Sequence, residues 1–287
     1  MMHSAVQPAT VLRRAIDEAT ATLADAGVAS PCNDAEALAA HVAGITRGRL
    51  PLIDALGDDF PGRYAELVAA RARRIPLQHL IGTDAFGQVT LHVGPGVFVP
   101  RPETEALLEW AMRRQLRAQA VIVDLCTGCG ALAVALADHM PRARVIAVDN
   151  SVDALRYARR NTAGTTVDVR DGDVTDPTLF ADLDGQVDLV VANPPYLPDG
   201  TDLEPEVAEH DPPAALFGGP DGMALISHIV ALAERWLKPG GLLAIEHDDT
   251  TADATKALLR AGFGEITGHS DLAGRARFVT ATRKTFA

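Results

Sequence analysis

Residues 187–192, Val-Asp-Leu-Val-Val-Ala, form a short apolar, β-branched run that stops at Asn193-Pro194-Pro195-Tyr196. Such a run is the pattern of a strand buried in a parallel sheet. Two consecutive prolines donate no backbone hydrogen bonds and hold φ near one value, so the strand has to end there in a rigid turn. The turn carries unusual chemistry. Asn193 offers a side-chain carbonyl and an amide, the prolines offer only carbonyls, and Tyr196 offers a flat ring. A planar group bearing an NH2 can give one proton to the Asn193 side chain and the other to the Pro194 carbonyl, and then lie against Tyr196. A lone Pro-Pro is more often a plain strand stop. With Asn before it and Tyr after it, at the carboxyl end of a strand, a binding site is the better reading.

This tetrapeptide resembles the signature of S-adenosylmethionine-dependent methyltransferases that modify planar amino groups, either exocyclic base nitrogens or the side-chain amide of glutamine. The chain upstream bears on the cofactor. Residues 121–124 read as a first strand, followed by Leu125-Cys126-Thr127-Gly128-Cys129-Gly130 and a helix from Ala131. Glycines let a backbone turn tightly and approach a ligand at a helix N-terminus. Gly128-x-Gly130-x-x-Ala133 also fits a dinucleotide fingerprint. Asp124 separates the two, because an acid beside the loop repels a pyrophosphate but attracts the ammonium of a methionine moiety. That disfavours an NAD-dependent oxidoreductase. A second strand, residues 144–148, ends at Asp149, an acid placed to accept hydrogen bonds from both ribose hydroxyls. A third, residues 165–169, leads into Asp171-Gly172-Asp173-Val174.

Two metal readings and one redox reading are weaker than their structural counterparts. Asp171, Asp173 and Asp176 fit a turn and helix cap better than a cation site, and Glu246-His247-Asp248-Asp249 fits a strand-end turn. No metal is expected. Cys126-x-x-Cys129 sits inside the glycine loop, where small side chains suffice, so redox chemistry is disfavoured.

Composition bounds the rest. At 287 residues the chain holds one sizeable domain and a smaller one. There is no apolar run of membrane-spanning length and no signal-peptide core within residues 1–20. Three cysteines do not suggest a disulfide framework, so a cytoplasmic location is expected. The formal net charge of −12 argues against broad attraction to nucleic-acid backbones. The first 75 residues read as a helical bundle. Val11, Leu12, Ala15, Ile16, Ala19 and Leu23 recur at helical spacing. A second helix runs to Ala43, a short one covers residues 50–56, and a fourth covers residues 64–74. Arg71, Arg73 and Arg74 at its end are either a contact for an acidic or RNA partner or a solvated helix end.

From Pro76 the texture turns β-like, with runs at residues 86–91 and 97–99 and residues 92–96 as the turn between them. Here the resemblance sharpens. Pro76-Leu77-Gln78, Ile81-Gly82, Phe86, and then Phe98-Val99-Pro100-Arg101-Pro102-Glu103-Thr104-Glu105 are similar to the linker and leading segment of bacterial glutamine methyltransferases of peptide-chain release factors. The proline-rich acidic loop after Tyr196 is long for a compact domain, as lids and docking surfaces are. Its Glu204-Pro205 and Phe217-Gly218-Gly219-x-Asp221-Gly222 match the same family. So does Lys238-Pro239-Gly240-Gly241, which separates a helix opened by Asp221-Gly222 from a strand at residues 242–245. Residues 263–267 and 277–282 read as a closing hairpin. The chain departs from the family at Cys126, where the family carries glycine, and after Glu246, where a glycine is missing.

The resemblance implies an α/β fold in which a small N-terminal helical bundle precedes a seven-stranded, mostly parallel, Rossmann-like methyltransferase sheet with a closing antiparallel hairpin. It implies a substrate-docking domain over residues 1–75, a linker and hairpin over 76–100 and a methyltransferase domain over 101–287. S-adenosylmethionine, leaving as S-adenosylhomocysteine, would be held by Asp124, Cys126, Thr127, Gly128, Cys129, Gly130, Asp149, Asp173, Val174 and Asn193. The expected substrate is the glutamine of the Gly-Gly-Gln loop of class 1 release factors, with no membrane and no direct need for nucleic acid. Asn193, Pro194 and Tyr196 would be catalytic, with Pro195, Phe86, Phe98 and Arg101 completing the substrate contacts. An adenine-amino methyltransferase acting on DNA or RNA is the alternative, and it should bring a basic groove. An adaptor that binds the cofactor without turnover would leave the Asn193 clamp unexplained.

Overall fold

The computed structural model describes residues 8–271 and 274–285. They form two compact units: residues up to Gly82 together with Glu204–His210, and the remainder.

The first unit is helical: α1 (Pro8–Asp25), α2 (Pro31–Ala43), α3 (Phe60–Ala72) and α4 (Leu77–Ile81). The apolar stripe of α1, Leu12, Ile16, Ala19 and Leu23, packs on Leu38 of α2 and on Phe60, Tyr64 and Val68 of α3. The buried Tyr64 hydroxyl donates to the Ala35 carbonyl at 3.0 Å, so its polar end is satisfied. The expected third helix is instead a 3-10 turn at Arg47–Leu52, where Pro51 allows no longer helix.

Neither reading of the three arginines survives intact. Arg71 is buried, and its Nε donates to Asp34 at 2.8 Å and its Nη2 to Glu206 at 2.9 Å. Arg74 Nε donates to the same Glu206 oxygen at 2.7 Å. Only Arg73 lies at an exposed helix end, bonded to the Ala69 carbonyl. Burial opposes ionisation of Glu206, but the bonds from Arg74 and Arg71 outweigh it and hold the carboxyl down at about 2.

The second unit opens with a hairpin of β1 (Thr83–Phe86) and β2 (Val89–His92). This corrects the expected register. Phe86 pairs with Val89, so the chain turns at Gly87-Gln88, with Gly87 at φ +57°. Val97 and Val99 are buried but lie outside any strand, so their alternation reports packing rather than pairing.

The main sheet has seven strands: β3 (Val121–Leu125), β4 (Arg144–Asp149), β5 (Asp168–Asp171), β6 (Val187–Ala192), β7 (Leu237–Glu246), β8 (Phe263–Ser270) and β9 (Ala276–Arg283). Their order is β5-β4-β3-β6-β7-β9-β8, with β9 antiparallel to both neighbours and the rest parallel. The closing hairpin is therefore present; of its connection, residues 272 and 273 lie outside the described residues. β5 begins three residues later than expected. The Thr165 hydroxyl donates to the Thr162 carbonyl and accepts from Val167 N, which ties that stretch to the preceding helix end.

Strands buried on both faces explain the near-continuous apolar runs. Ile122 of β3 and Val145 of β4 enter one core with Leu107, Leu108, Ala133 and Leu136. Val123, Leu125, Ile146 and Val148 enter the other with Ile229, Val230 and Trp236. The first core is covered by α5 (Thr104–Met112) and α6 (Ala131–His139), the second by α9 (Ala224–Trp236) and α10 (Ala252–Leu259); α7 (Val152–Asn161) follows β4, and α8 (Pro205–His210) belongs to the helical unit. The strand order reverses between β3 and β6, and ligands of open α/β sheets bind outside the carboxyl ends at such a point.

Candidate active site

Leu125 pairs with Val148 on one side and with Ala192 on the other. The residues that follow, Cys126, Asp149 and Asn193, therefore leave three adjacent strands at one level, roughly 5 Å apart from strand to strand. This register brings the glycine loop, the acid after strand β4 and the Asn-Pro-Pro-Tyr turn together.

The loop is built by its backbone. Thr127 N donates to the Val148 carbonyl at 2.9 Å, Gly130 N to Thr127 at 2.8 Å, and Gly128 N to Asp149 Oδ2 at 2.9 Å. A side chain added at Gly128 would meet nothing within 4 Å, so space is open above the loop. Cys126 holds φ +58°, a left-handed conformation that costs a non-glycine residue roughly 1–2 kcal/mol. That is the physical reason a glycine suits this position. Both Cys126 and Cys129 are free thiols, and burial pushes both well up, which leaves them poor thiolates. Asn161, at the end of α7, donates to the carbonyls of Cys129 and His92 and accepts from His92 N, fixing the loop against the hairpin.

Asp124 is 1% exposed. Burial pushes its carboxyl up to about 7, against the bonds from the Thr127 hydroxyl and Ala133 N. Its Oδ1 is buried without a hydrogen-bond partner, an orphaned acceptor of the kind a cationic ligand or a bridging water satisfies. Asp149 is also raised by burial, with Ser151 N and Gly128 N each taking one of its oxygens. The carboxylate keeps lone-pair capacity for a diol. Asp173 is exposed and engaged in a turn with Thr175, with Asn150 on its other oxygen, whereas Val174 is buried. Among the described residues no group of three or more His, Cys, Asp or Glu could hold a metal. Asp176 accepts from Thr178 N, and Asp248 accepts from Thr250 N, so both aspartates belong to turns.

Asn193 is half-buried, and its Nδ2 donates to the Thr104 hydroxyl at 3.0 Å. Tyr196 packs partly on the second core; burial, reinforced by Glu246, pushes its hydroxyl up to about 12, against the pull of the Arg277 charge. The turn is locked from outside by the glycine segment. Leu197 N donates to the Leu216 carbonyl and Gly218 N to Leu197, both at 2.9 Å. An added Cβ at Gly218 would lie 2.6 Å from the Pro195 oxygen, and one at Gly222 would lie 2.1 Å from the Tyr196 oxygen. Gly222 itself sits at φ +73°, which is why the following helix starts only at Ala224.

The remaining expected substrate contacts divide. Phe86 is 1% exposed and sits in the first core, with no ring face open to a substrate. Phe98 is partly exposed, and the Arg101 guanidinium lies 4.7 Å above its ring. Arg101 also pairs with the buried Asp211. Residues that sequence reasoning left without a role are Thr104, Glu246, Arg277, Asn161 and Asp211. Glu246 had a signal: like Asp124 and Asp149, it is an acid at a strand's carboxyl end.

Residues 14–82 match the model described as PrmC N-terminal domain, and residues 88–210 match the Methyltransferase small domain. The release factor glutamine methyltransferase of Mycolicibacterium smegmatis is 63% identical over 276 residues, covering 96% of this chain and 98% of that one. Its counterpart from Mycobacterium tuberculosis strain H37Rv is 62% identical, covering 95% and 91%. A 4-amino-L-phenylalanine/4-methylamino-L-phenylalanine methyltransferase of Streptomyces pristinaespiralis is 41% identical, covering 88% of each. With an Asn-Pro-Pro-Tyr turn beside an acid-flanked glycine loop, and identity of this depth over nearly its whole length, the chain belongs to the release factor glutamine methyltransferase family.

Proposed function

We propose that this methyltransferase transfers a methyl group from S-adenosylmethionine to the side-chain amide nitrogen of the glutamine in the Gly-Gly-Gln motif of class 1 peptide chain release factors. The observation that carries the reading is the shared register of strands β4, β3 and β6, which sets Asp149, the glycine loop and Asn193 side by side. The residues present fit the cofactor. The orphaned Asp124 oxygen suits an ammonium, the spare lone pairs of Asp149 suit a ribose diol, and the space above Gly128 admits a ligand. When bound, S-adenosylmethionine supplies the sulfonium methyl and leaves as the thioether S-adenosylhomocysteine.

An amide nitrogen is a poor nucleophile because its lone pair is delocalised into the carbonyl. Asn193 Oδ1 and the Pro194 carbonyl accept one hydrogen bond each from the NH2, which fixes its plane and raises electron density on nitrogen. The ring of Tyr196, with Phe98, bounds the plane of the amide. Catalysis is then mostly positioning and electrostatics. No general base is needed before transfer, since the nitrogen's proton becomes acidic once the methyl is attached and leaves to water. We assign docking of the protein substrate to the helical unit, among whose described residues no catalytic constellation lies. Remote contacts of that kind position a reacting group.

Labelled S-adenosylmethionine with whole class 1 release factor tests the reading. Label should enter the factor, disappear when the target glutamine is replaced, and survive nuclease treatment of an extract. Label that follows DNA or RNA, or free aromatic amines in preference to the factor, overturns it.

A further inference from the structure

The clamp works only if one end of the Asn193 side chain faces the substrate. An asparagine amide carries its acceptor and its donor on nearly the same shape, and a half-turn about its last bond exchanges them. With Nδ2 towards an incoming NH2, donor would meet donor. Something in the fold has to set the orientation.

Asn193 Nδ2 donates to Thr104 Oγ1 at 3.0 Å. A hydroxyl alone does not decide the matter, since it can accept from Nδ2 or donate to Oδ1. What decides it is where the Thr104 hydrogen goes. Thr104, at the start of helix α5, and Glu246, at the end of strand β7, are 3% and 1% exposed. Ala192 pairs with Ile245, so Asn193 and Glu246 leave adjacent parallel strands at the same level. The Thr104 hydroxyl favours the charged form of the Glu246 carboxyl. Glu246 Oε1 is buried and has no hydrogen-bond partner. A carboxylate at the end of the adjacent strand would take the Thr104 hydrogen. Only Thr104 lone pairs would then face Asn193, which is consistent with Nδ2 donating to Thr104, and Oδ1 would point to the opposite side.

We propose that Thr104 and Glu246 are positioning residues, a buried relay that orients the Asn193 amide so that its oxygen meets the substrate NH2. The inference rests on the clamping role proposed for Asn193. Burial pushes Glu246 up to about 8; Thr104 and Arg277 favour the carboxylate, and Glu103 disfavours it. The Arg277 charge, on strand β9, also acts on Tyr196. In its acid form Glu246 donates to Thr104, the Thr104 hydrogen turns to Oδ1, and the amide reverses. Ionisation of Glu246 therefore switches the clamp on.

Steady-state kinetics with whole release factor between pH 6 and 9.5 test this. Wild-type kcat should rise as pH passes through about 8. Thr104→Ser, which keeps the hydroxyl, should follow it within about three-fold. Thr104→Val keeps the shape without the hydroxyl and should lose roughly 10–100-fold in kcat, the scale of a lost outer hydrogen-bond partner. Its KM values should change little, and Glu246→Gln should abolish the rise. Thr104→Val as active as wild type, or Thr104→Ser as poor as Thr104→Val, would overturn the relay. A second readout does not depend on the acceptor: the 13C titration of the Glu246 carboxyl, assigned by its absence in Glu246→Gln. Thr104→Val should move that titration upward and Thr104→Ser should not. If it moves while no label reaches release factor, the relay stands and the proposed substrate falls. If it does not move, the relay falls whatever the substrate.

Discussion

Gly222→Ala is a small change far from any reacting atom in sequence, yet the structure predicts a large effect. The new Cβ would lie 2.1 Å from the Tyr196 carbonyl oxygen, whereas ordinary van der Waals contact begins at 3.4 Å. About 1.3 Å has to open, and the Tyr196 side of the contact is backbone. Gly222 also holds φ +73°, where an alanine costs roughly 1–2 kcal/mol. The strain falls on the Asn-Pro-Pro-Tyr turn, because Tyr196 is one residue from Pro195 and two from Pro194. A displacement of about 1 Å in a positioning site can cost on the order of 100-fold in rate. The expected result is a loss of 1–3 kcal/mol in urea unfolding (about the strain cost plus local repacking). A drop of roughly 100-fold in kcat should accompany it. S-adenosylhomocysteine affinity by calorimetry should stay nearly unchanged, since the glycine loop and Asp149 are untouched. Full activity in Gly222→Ala would refute the claim that this segment sets the turn.

Glu206→Gln should destabilise the protein by about 2–3 kcal/mol at pH 7. The carboxyl falls from 4.5 to about 2, and the full shift is worth roughly 3 kcal/mol before a discount for its part-exposed side chain. Because the folded value is depressed, this contribution is present above pH 4.5 and should fade as pH falls towards 2; urea midpoints of wild type and variant that run parallel across that window would contradict it. Glu246 has the opposite sign. Its folded value is raised from 4.5 to about 8, so its contribution is most favourable below pH 4.5 and is lost as pH rises through 8. Glu246→Gln should flatten that decline in thermal unfolding, and an unchanged slope would count against its burial. Iodoacetamide at pH 8 should label the exposed Cys32 in the native protein and spare Cys126 and Cys129 until unfolding, as peptide mapping would reveal.

Much of the site was readable because its parts are local. Asp124, Asp149 and Asn193 each follow a β-branched run, and the same residues that end the strand carry the chemistry. Parallel strands put such ends side by side, so sequence order was enough to group them. What escaped depends on register and on distance along the chain. The pairing of Ala192 with Ile245 places Glu246 beside Asn193, and neither segment announces it. Thr104 lies 89 residues before Asn193, and Glu206 lies 135 residues after Arg71. Arg71 was legible as a charge but not as a buried one, because helical periodicity assigns a face and says nothing of a partner that far along the chain. The hairpin was misplaced for a local reason. Val97 and Val99 alternate like a strand but are simply buried, while Gly87-Gln88 makes the tighter turn. Phe86 was expected at the substrate and lies in the core, since an aromatic residue in a short strand serves either role equally well in sequence.

The central claim, that Asn193 holds the amide during transfer, is tested most directly by single-turnover methyl transfer to whole release factor with Asn193→Ala. Loss of one preorganised polar contact in a transition state predicts a fall on the order of 100-fold or more in the transfer rate. Affinity for S-adenosylmethionine should be nearly intact, because Asn193 is assigned mainly to the substrate. A transfer rate within a few-fold of wild type would contradict the account.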